Sequence, residues 1–417
     1  MFRRKWLFFG IAVLCVVAIL YALILQPSVQ EWVGNHFLEV YTGLKTWLNP
    51  PQAVAFSTLS TPQASLSTLP AEDHPTTPTP LTTPIPSSVE IGGGKYFDQH
   101  NRMNYCGPAN LAMLLSYQGW NGTPEDIARV VKPYAKDKNV MPAELADYAR
   151  SVGFGALVRV GGDLGLLKRI IAAGYPVLVE KGPHFRDIQN NITWMGHYQV
   201  LNGYDDARGV FIAQDSYIKP NYDQSYNELI SQWRSFNYTY LVVFPQSKEN
   251  DVLNLLGADA EESANFQHAL KIAGEETSSL RGVDQFFAFF NYGTNLVALR
   301  DYAGAAAAYD TAFALYDALP QDMTLRPYRI LWYQTGPYFA YYYTGRYQDV
   351  INKATLNSID MVRDDVPALE ESYYWRGMAY IAIGDQQDGI DDLQTCLMYH
   401  KGFTPCVQEL NLLGIAP

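Results

Sequence analysis

The sequence predicts a multidomain chain: an N-terminal transmembrane helix, a mixed α+β domain in the middle and an all-α helical array towards the C-terminus. Three observations lead there. A chain of 417 residues is too long for one hydrophobic core. An uncharged apolar run stands near its start, and beyond residue 245 the strand signals give way to helical periodicity. The segments read from composition and pattern are 1–26, 27–56, 57–90, 91–246 and 247–417.

Residues 7–25 carry no charge and, as a helix, would rise about 28 Å, enough to cross a bilayer core. Arg3, Arg4 and Lys5 precede the run, which predicts a cytoplasmic N-terminus and extracytoplasmic domains beyond it. The exit sequence from Gln26 to Gln30 lacks a small-x-small cleavage site, so a retained signal anchor is preferred to a cleaved signal. In residues 27–56 the side chains Trp32, Val33, Phe37, Val40, Tyr41, Leu44, Trp47 and Leu48 recur at helical spacing. Such a face suits either the membrane surface or packing on the folded domain. Residues 57–88 then hold 14 Ser or Thr and 7 Pro among 32 positions, too little apolar surface to offset ordering, so a disordered tether is expected through residue 90.

The formal charge of −12 argues against nonspecific nucleic-acid binding, which needs concentrated Lys and Arg. No Walker loop, dinucleotide fingerprint or closely spaced Cys/His cluster appears, so neither a cofactor nor a metal is expected.

In the middle domain the string Tyr105-Cys106-Gly107-Pro108-Ala109-Asn110-Leu111 reads as a helix start, because Pro108 is tolerated in the first turn. A thiol there meets free amides and the positive end of the helix dipole, which favour a thiolate. Thr123 and Pro124 open a helix through Val131, and further helices are expected over 142–151 and 164–173. Strands are expected over 176–180, 197–205 and 210–215, the last two as a hairpin that brings His197 and Asp215 to one edge. In that geometry His197 takes the Cys106 proton and Asp215 fixes the ring. His184 is the competing base, read as lying in a mobile loop, and His100 reads as a surface residue. Gln99, seven positions before Cys106, can donate its amide to an oxyanion beside the Cys106 backbone N–H, or can be a solvated loop group.

Gln99, Tyr105-Cys106-Gly107-Pro108-Ala109, Gly174-Tyr175-Pro176-Val177-Leu178-Val179, Gly196-His197-Tyr198-Gln199-Val200 and Gln214-Asp215-Ser216-Tyr217 follow in order. Together they resemble the motifs of papain-like cysteine peptidases related to bacterial double-glycine leader peptidases. The resemblance covers about residues 94–245 and implies an α+β papain-like fold, with Cys106 as nucleophile, His197 as base, Asp215 as orienting acid and Gln99 as oxyanion donor. The chain departs from the family at Ser216, where Asp-Pro is common, and in the loop carrying Gln99. No transporter or ATPase domain follows.

Beyond residue 246 three strings look like one inter-helix turn used three times: those around Arg300, Arg346 and Asp385, spaced 46 and 39 residues apart. The helix-turn-helix order resembles tetratricopeptide repeats, although those spacings exceed the usual 34. Apolar faces follow the turns at Ala305, Ala308, Tyr309 and Ala312, at Val350 and Ala354, and at Ile390, Leu393 and Leu397. The array is expected either to hold a protein partner or to cap the catalytic domain. Export permits a disulfide between Cys396 and Cys406, and the sequence leaves open whether their Cα atoms come within bonding range.

The leading expectation is a membrane-tethered extracytoplasmic cysteine peptidase acting on a peptide or protein substrate. The same constellation also serves thiol amidases and acyltransferases, and a catalytically inactive peptide-binding scaffold is the third reading.

Overall fold

A computed structural model describes residues 85–417 apart from 101, 103, 187–190, 323 and 363–364. The apolar run at 7–25, the segment 27–56 and nearly all of the proposed tether lie outside the described residues. Among the described residues no helix is long and apolar enough to cross a membrane.

The first part is α+β. After β1 (Ser88–Glu90) come α1 (Cys106–Ser116), α2 (Pro124–Val131), α3 (Pro142–Ser151), β2 (Phe154–Arg159) and α4 (Leu164–Ala172). Strands β3 (Val177–Lys181), β4 (His184–Arg186), β5 (Ile192–Trp194), β6 (His197–Asp205), β7 (Val210–Asp215) and β8 (Lys219–Ser225) follow, then α5 (Tyr226–Arg234) and β9 (Tyr240–Pro245). One antiparallel sheet runs in the order β2-β9-β3-β6-β7-β8, and β1 adds to β6 off that path. Because β1 pairs Ser88 with Asp205, the ordered chain begins before residue 91, where composition had placed the boundary.

Side-chain alternation decides the two faces of the sheet. Leu178, Tyr198, Val200, Leu241 and Val243 pack under α1 and α3 with Leu111, Leu114 and Leu145. Their neighbours Val177, Val179, Leu201, Val242 and Phe244 point the other way, against Leu167 and Ile170 of α4 and Leu229 and Trp233 of α5. Helix α1 is buried from Gly107 through Ser116, so its axis is fixed by packing on both sides. The Asp126 carboxylate closes the start of α2 by accepting from the Thr123 amide and hydroxyl, at 2.8 and 3.0 Å.

The second part is helical: α6 (Glu249–Leu256), α7 (Glu262–Ser279), α8 (Gly282–Ala298), α9 (Tyr302–Ala318), α10 (Ile330–Tyr333), α11 (Gly336–Tyr343), α12 (Tyr347–Leu356), α13 (Glu370–Ile383), α14 (Gln386–Tyr399) and α15 (Thr404–Leu412). The three recurring strings join α8 to α9, α11 to α12 and α13 to α14. Each turns on a left-handed residue: Arg300 at φ 63°, Gly345 at 74° and Gly384 at 97°. Arg300 therefore matches Gly345, and Asp301 matches Arg346, which corrects the sequence alignment by one residue. Cys396 and Cys406 are joined, with Cα atoms 6.7 Å apart, and tie α14 to α15.

The two parts share a core. Trp194 and Phe236 of the α+β part belong to the same apolar cluster as Phe286, Phe287 and Phe290 of α8 and Tyr309 of α9. Trp194 stacks on Phe236 with ring centroids 5.6 Å apart and lies 6.0 Å from Phe287. Polar contacts cross the same seam: Asn237 and Asn295 exchange amide hydrogen bonds at 2.7 and 3.2 Å, and Arg234 pairs with Glu276 at 3.1 Å and Asp284 at 2.9 Å.

Candidate active site

Cys106 is the first residue of α1, half-buried, with the buried body of the helix behind it. A helix start leaves its first amides without intrahelical partners, so the Cys106 backbone N–H faces whatever approaches the thiol. Gly107 gives that start its close fit, since a Cβ there would stand 3.3 Å from Val140.

Strand β6 opens on His197, and the hairpin register sets Val200 opposite Gln214. One step further, Gln199 meets Asp215, and two residues along β6 on the same face lies His197. Its Nε2 hydrogen-bonds Asp215 Oδ1 at 2.9 Å, and its ring is close enough to the Cys106 thiol for the two to act on each other electrostatically. With Nε2 taken by Asp215, Nδ1 is the nitrogen left for the sulfur. Thiol, imidazole and carboxylate thus lie together, and His197 and Asp215 are buried.

Burial disfavours both charges, and the pair's mutual attraction overrides it. For His197, desolvation pushes the ring down, but the Asp215 charge and hydrogen bond, with a further contribution from Cys106, hold it up at about 9. For Asp215, desolvation pushes the carboxyl up, while His197, then Lys181, then the Tyr217 amide, hold it down at about 2. Oδ1 also accepts from the Tyr217 and Ile218 amides at 3.0 Å each, and Oδ2 accepts from Gln199 Nε2 at 2.9 Å. Lys181 Nζ stands 3.8 Å from Oδ2 and donates to Gln224 Oε1 at 2.7 Å. The carboxylate is held from several directions.

The competing histidines are placed differently. His184 begins β4 rather than lying in a mobile loop, and burial pushes its ring down to about 4. His100 bonds Asp98 at 2.6 Å and lies against the Tyr217 ring at 5.4 Å, partly covered rather than free on the surface.

Gln99 is buried, not a solvated loop side chain. Its backbone N–H donates to the Ser216 carbonyl at 3.0 Å, and its Oε1 accepts from the Ser216 hydroxyl at 2.5 Å. The Asn110 amide donates to Ser216 Oγ at 2.7 Å and to the Cys106 carbonyl at 2.9 Å. A single polar chain therefore links the first turn of α1, the residue after Asp215 and the Gln99 side chain. Because Oε1 is committed to Ser216, the Gln99 NH2 group points away from it as a donor.

Residues 93–241 match the model of the Peptidase_C39 like family. The match supports a peptidase-type domain and spans the β6–β7 hairpin and the start of α1. A solved structure described as a C39-like peptidase from Bacillus anthracis is similar at 15% identity and a TM-score of 0.32, covering 38% of this chain and 98% of that one. No curated protein matches.

Within the C39-like domain, sequence reading gave no role to Asn110, Lys181, Gln199 or Ser216. Gln199 could have been found from the period-2 rule, since it shares a face with His197. Lys181, at the end of a strand, looks like a solvated terminus and is instead buried. The helical part also reaches this region: a Cβ on Gly196, immediately before His197, would meet the Tyr333 ring of α10 and the Phe236 ring at 2.9 Å.

Proposed function

We propose that this chain is a cysteine peptidase in which Cys106 attacks the carbonyl carbon of a peptide bond. The observation that carries the reading is the buried His197–Asp215 hydrogen bond beside the half-buried Cys106 thiol, which acts on the same ring. His197 accepts the thiol proton and, as an imidazolium, returns it to the departing amine as the C–N bond breaks. Asp215 keeps the ring oriented and charged through that step. The Cys106 backbone N–H and the Gln99 amide donate to the oxygen that turns negative in the tetrahedral intermediate. Water then enters, His197 takes its proton, and the thioester is hydrolysed to free acid and thiol.

In this reading the enzyme acts outside the cytoplasm, held to the membrane by residues 7–25, with the helical array positioning a protein substrate or partner. The test is a peptide-library hydrolysis assay comparing wild type with C106A, with products identified by mass. A thiol-directed peptide electrophile should label Cys106 alone, and C106A should remain folded without cleaving. Cleavage surviving in pure C106A overturns the assignment. Products that carry a non-peptide amine, or an acceptor other than water, would make the enzyme an amidase or acyltransferase.

A further inference from the structure

Beside the segment that leads into Cys106, where Asn104 donates to the Asp137 carbonyl at 2.9 Å, the loop between α2 and α3 docks on the C-terminal helices. Lys138 pairs with Asp365 at 2.5 Å, the Lys138 amide donates to the Ala368 carbonyl at 3.2 Å, and Tyr134 meets Tyr399 edge-on at 5.3 Å. Inside this contact lie Asp137 from the loop, Glu370 from the start of α13 and His400 from the end of α14. Each offers one ligand atom, and the three atoms lie within 4.8 Å of one another.

Two features distinguish the cluster from an ordinary acidic group. Asp137 is 1% exposed, and although one of its carboxylate oxygens accepts from the Asn139 amide at 3.1 Å, the other, Oδ2, is buried with no hydrogen-bond partner. A buried carboxylate oxygen left unpaired costs free energy, so a native site that keeps one calls for a cation or donor. The nearby cation does not fill that need: Lys132 Nζ donates to the backbone carbonyls of Ala135 and Asp137, at 2.8 and 2.7 Å. His400 Nδ1 is 2.8 Å from Glu370 Oε1.

The surrounding charge points the same way. The carboxyls of Glu144 and Glu371 also act on this group, so four acids face Lys132, Lys138 and His400 in a covered space, and Lys138 is itself paired with Asp365.

We propose that Asp137, Glu370 and His400 bind a divalent transition-metal ion that pins the C39-like domain to the C-terminal helices. One imidazole nitrogen with two carboxylates is a donor set that suits zinc or manganese. Zinc holds such ligands at about 2.0–2.2 Å, so ligand atoms on one ion stand within about 4.4 Å of each other, and the side chains here need only draw in slightly. The three ligands come from both parts of the chain. The ion therefore acts across the seam.

The test uses the full-length chain carrying C106A, so that zinc at the catalytic thiol is not counted. After chelator treatment, titration with zinc chloride should load about one ion per chain and raise Tm by several degrees. D137N and H400Q, checked by circular dichroism, should each weaken zinc uptake by roughly tenfold or more. X-ray absorption at the zinc edge of the loaded C106A chain should show nitrogen and oxygen neighbours with imidazole scattering and no sulfur, a readout that stands even if either variant misfolds. Uptake below about a tenth of an ion per chain, equal uptake in both folded variants, or sulfur among the ligands would overturn the proposal.

Discussion

Replacing Asp215 with Asn removes one charge from a buried site and leaves nearly the same shape. The consequence falls on His197. In the native site the ring is held at about 9 against the burial that would lower it. Without the carboxylate, only the smaller Cys106 contribution opposes burial, and the ring falls below its ordinary value of about 6.5. The difference between about 9 and about 6.5 corresponds to about 3 kcal/mol in the balance of charged and neutral imidazole. At pH 7.5 the charged ring would drop from nearly the whole population to about a tenth or less. If the imidazolium is what protonates the departing amine, kcat/KM should fall roughly hundredfold in D215N. The basic limb of its pH profile should move from about 9 to below about 6.5. The assay needs two measurements: hydrolysis of a cleavable peptide between pH 5 and 10, and histidine-labelled NMR titration of His197 in both proteins. A His197 midpoint that stays near 9 in folded D215N would refute the argument, whatever happens to the rate.

Other consequences follow from the same coordinates. His197 is held above its unfolded value and Asp215 below, so their pair stabilises fully from about pH 4 to 6.5, fades as pH rises through about 9 and fades as it falls through about 2. The Tm gap between wild type and D215N should accordingly narrow above pH 9, and a gap constant from pH 5 to 10 would contradict the linkage. S216A should free the Gln99 amide to rotate and lower kcat about tenfold with little change in KM, whereas S216T, which keeps the hydroxyl, should retain more turnover; equal losses in kcat and in substrate affinity would point to a structural role. Gly377 on α13 lies so close to α14 that a Cβ would stand 2.9 Å from the Gly389 carbonyl, so G377V should cost about 1–3 kcal/mol in denaturant unfolding, and an unchanged midpoint would disprove that crossing. Removing the disulfide with C396S and C406S together should lower stability by about 2–3 kcal/mol through loss of a short closed loop, as read by the urea midpoint.

What was legible in the sequence was local. The helix opening at Cys106 follows from Pro108 in a first turn, and the β6–β7 hairpin follows from two alternating runs around a turn ending at Gly209, so the meeting of Cys106, His197 and Asp215 could be drawn beforehand. What could not be drawn depends on partners about ninety residues apart or more. Ser216 reads as a departure from a motif until Gln99 and Asn110 close on it. Asp137 reads as a loop acid until Glu370 and His400 arrive from the far end of the chain. Trp194 reads as the end of a short strand, although its ring joins the aromatic cluster of α8. Even the repeats slipped by one residue, because Arg300 takes a left-handed conformation that sequence assigns to glycine.

The aromatic seam gives the chain a different kind of unity from beads on a string. A break after residue 246 would uncover Trp194 and Phe236 and remove Tyr333 from Gly196, the residue that leads into His197. The α+β part and the array should consequently melt as one cooperative body, and exchanging the helices for another module would require a new aromatic cover at the same time. Anything that shifts α8 or α10, whether a bound protein or a substitution, reaches the catalytic base through direct packing rather than through a flexible link.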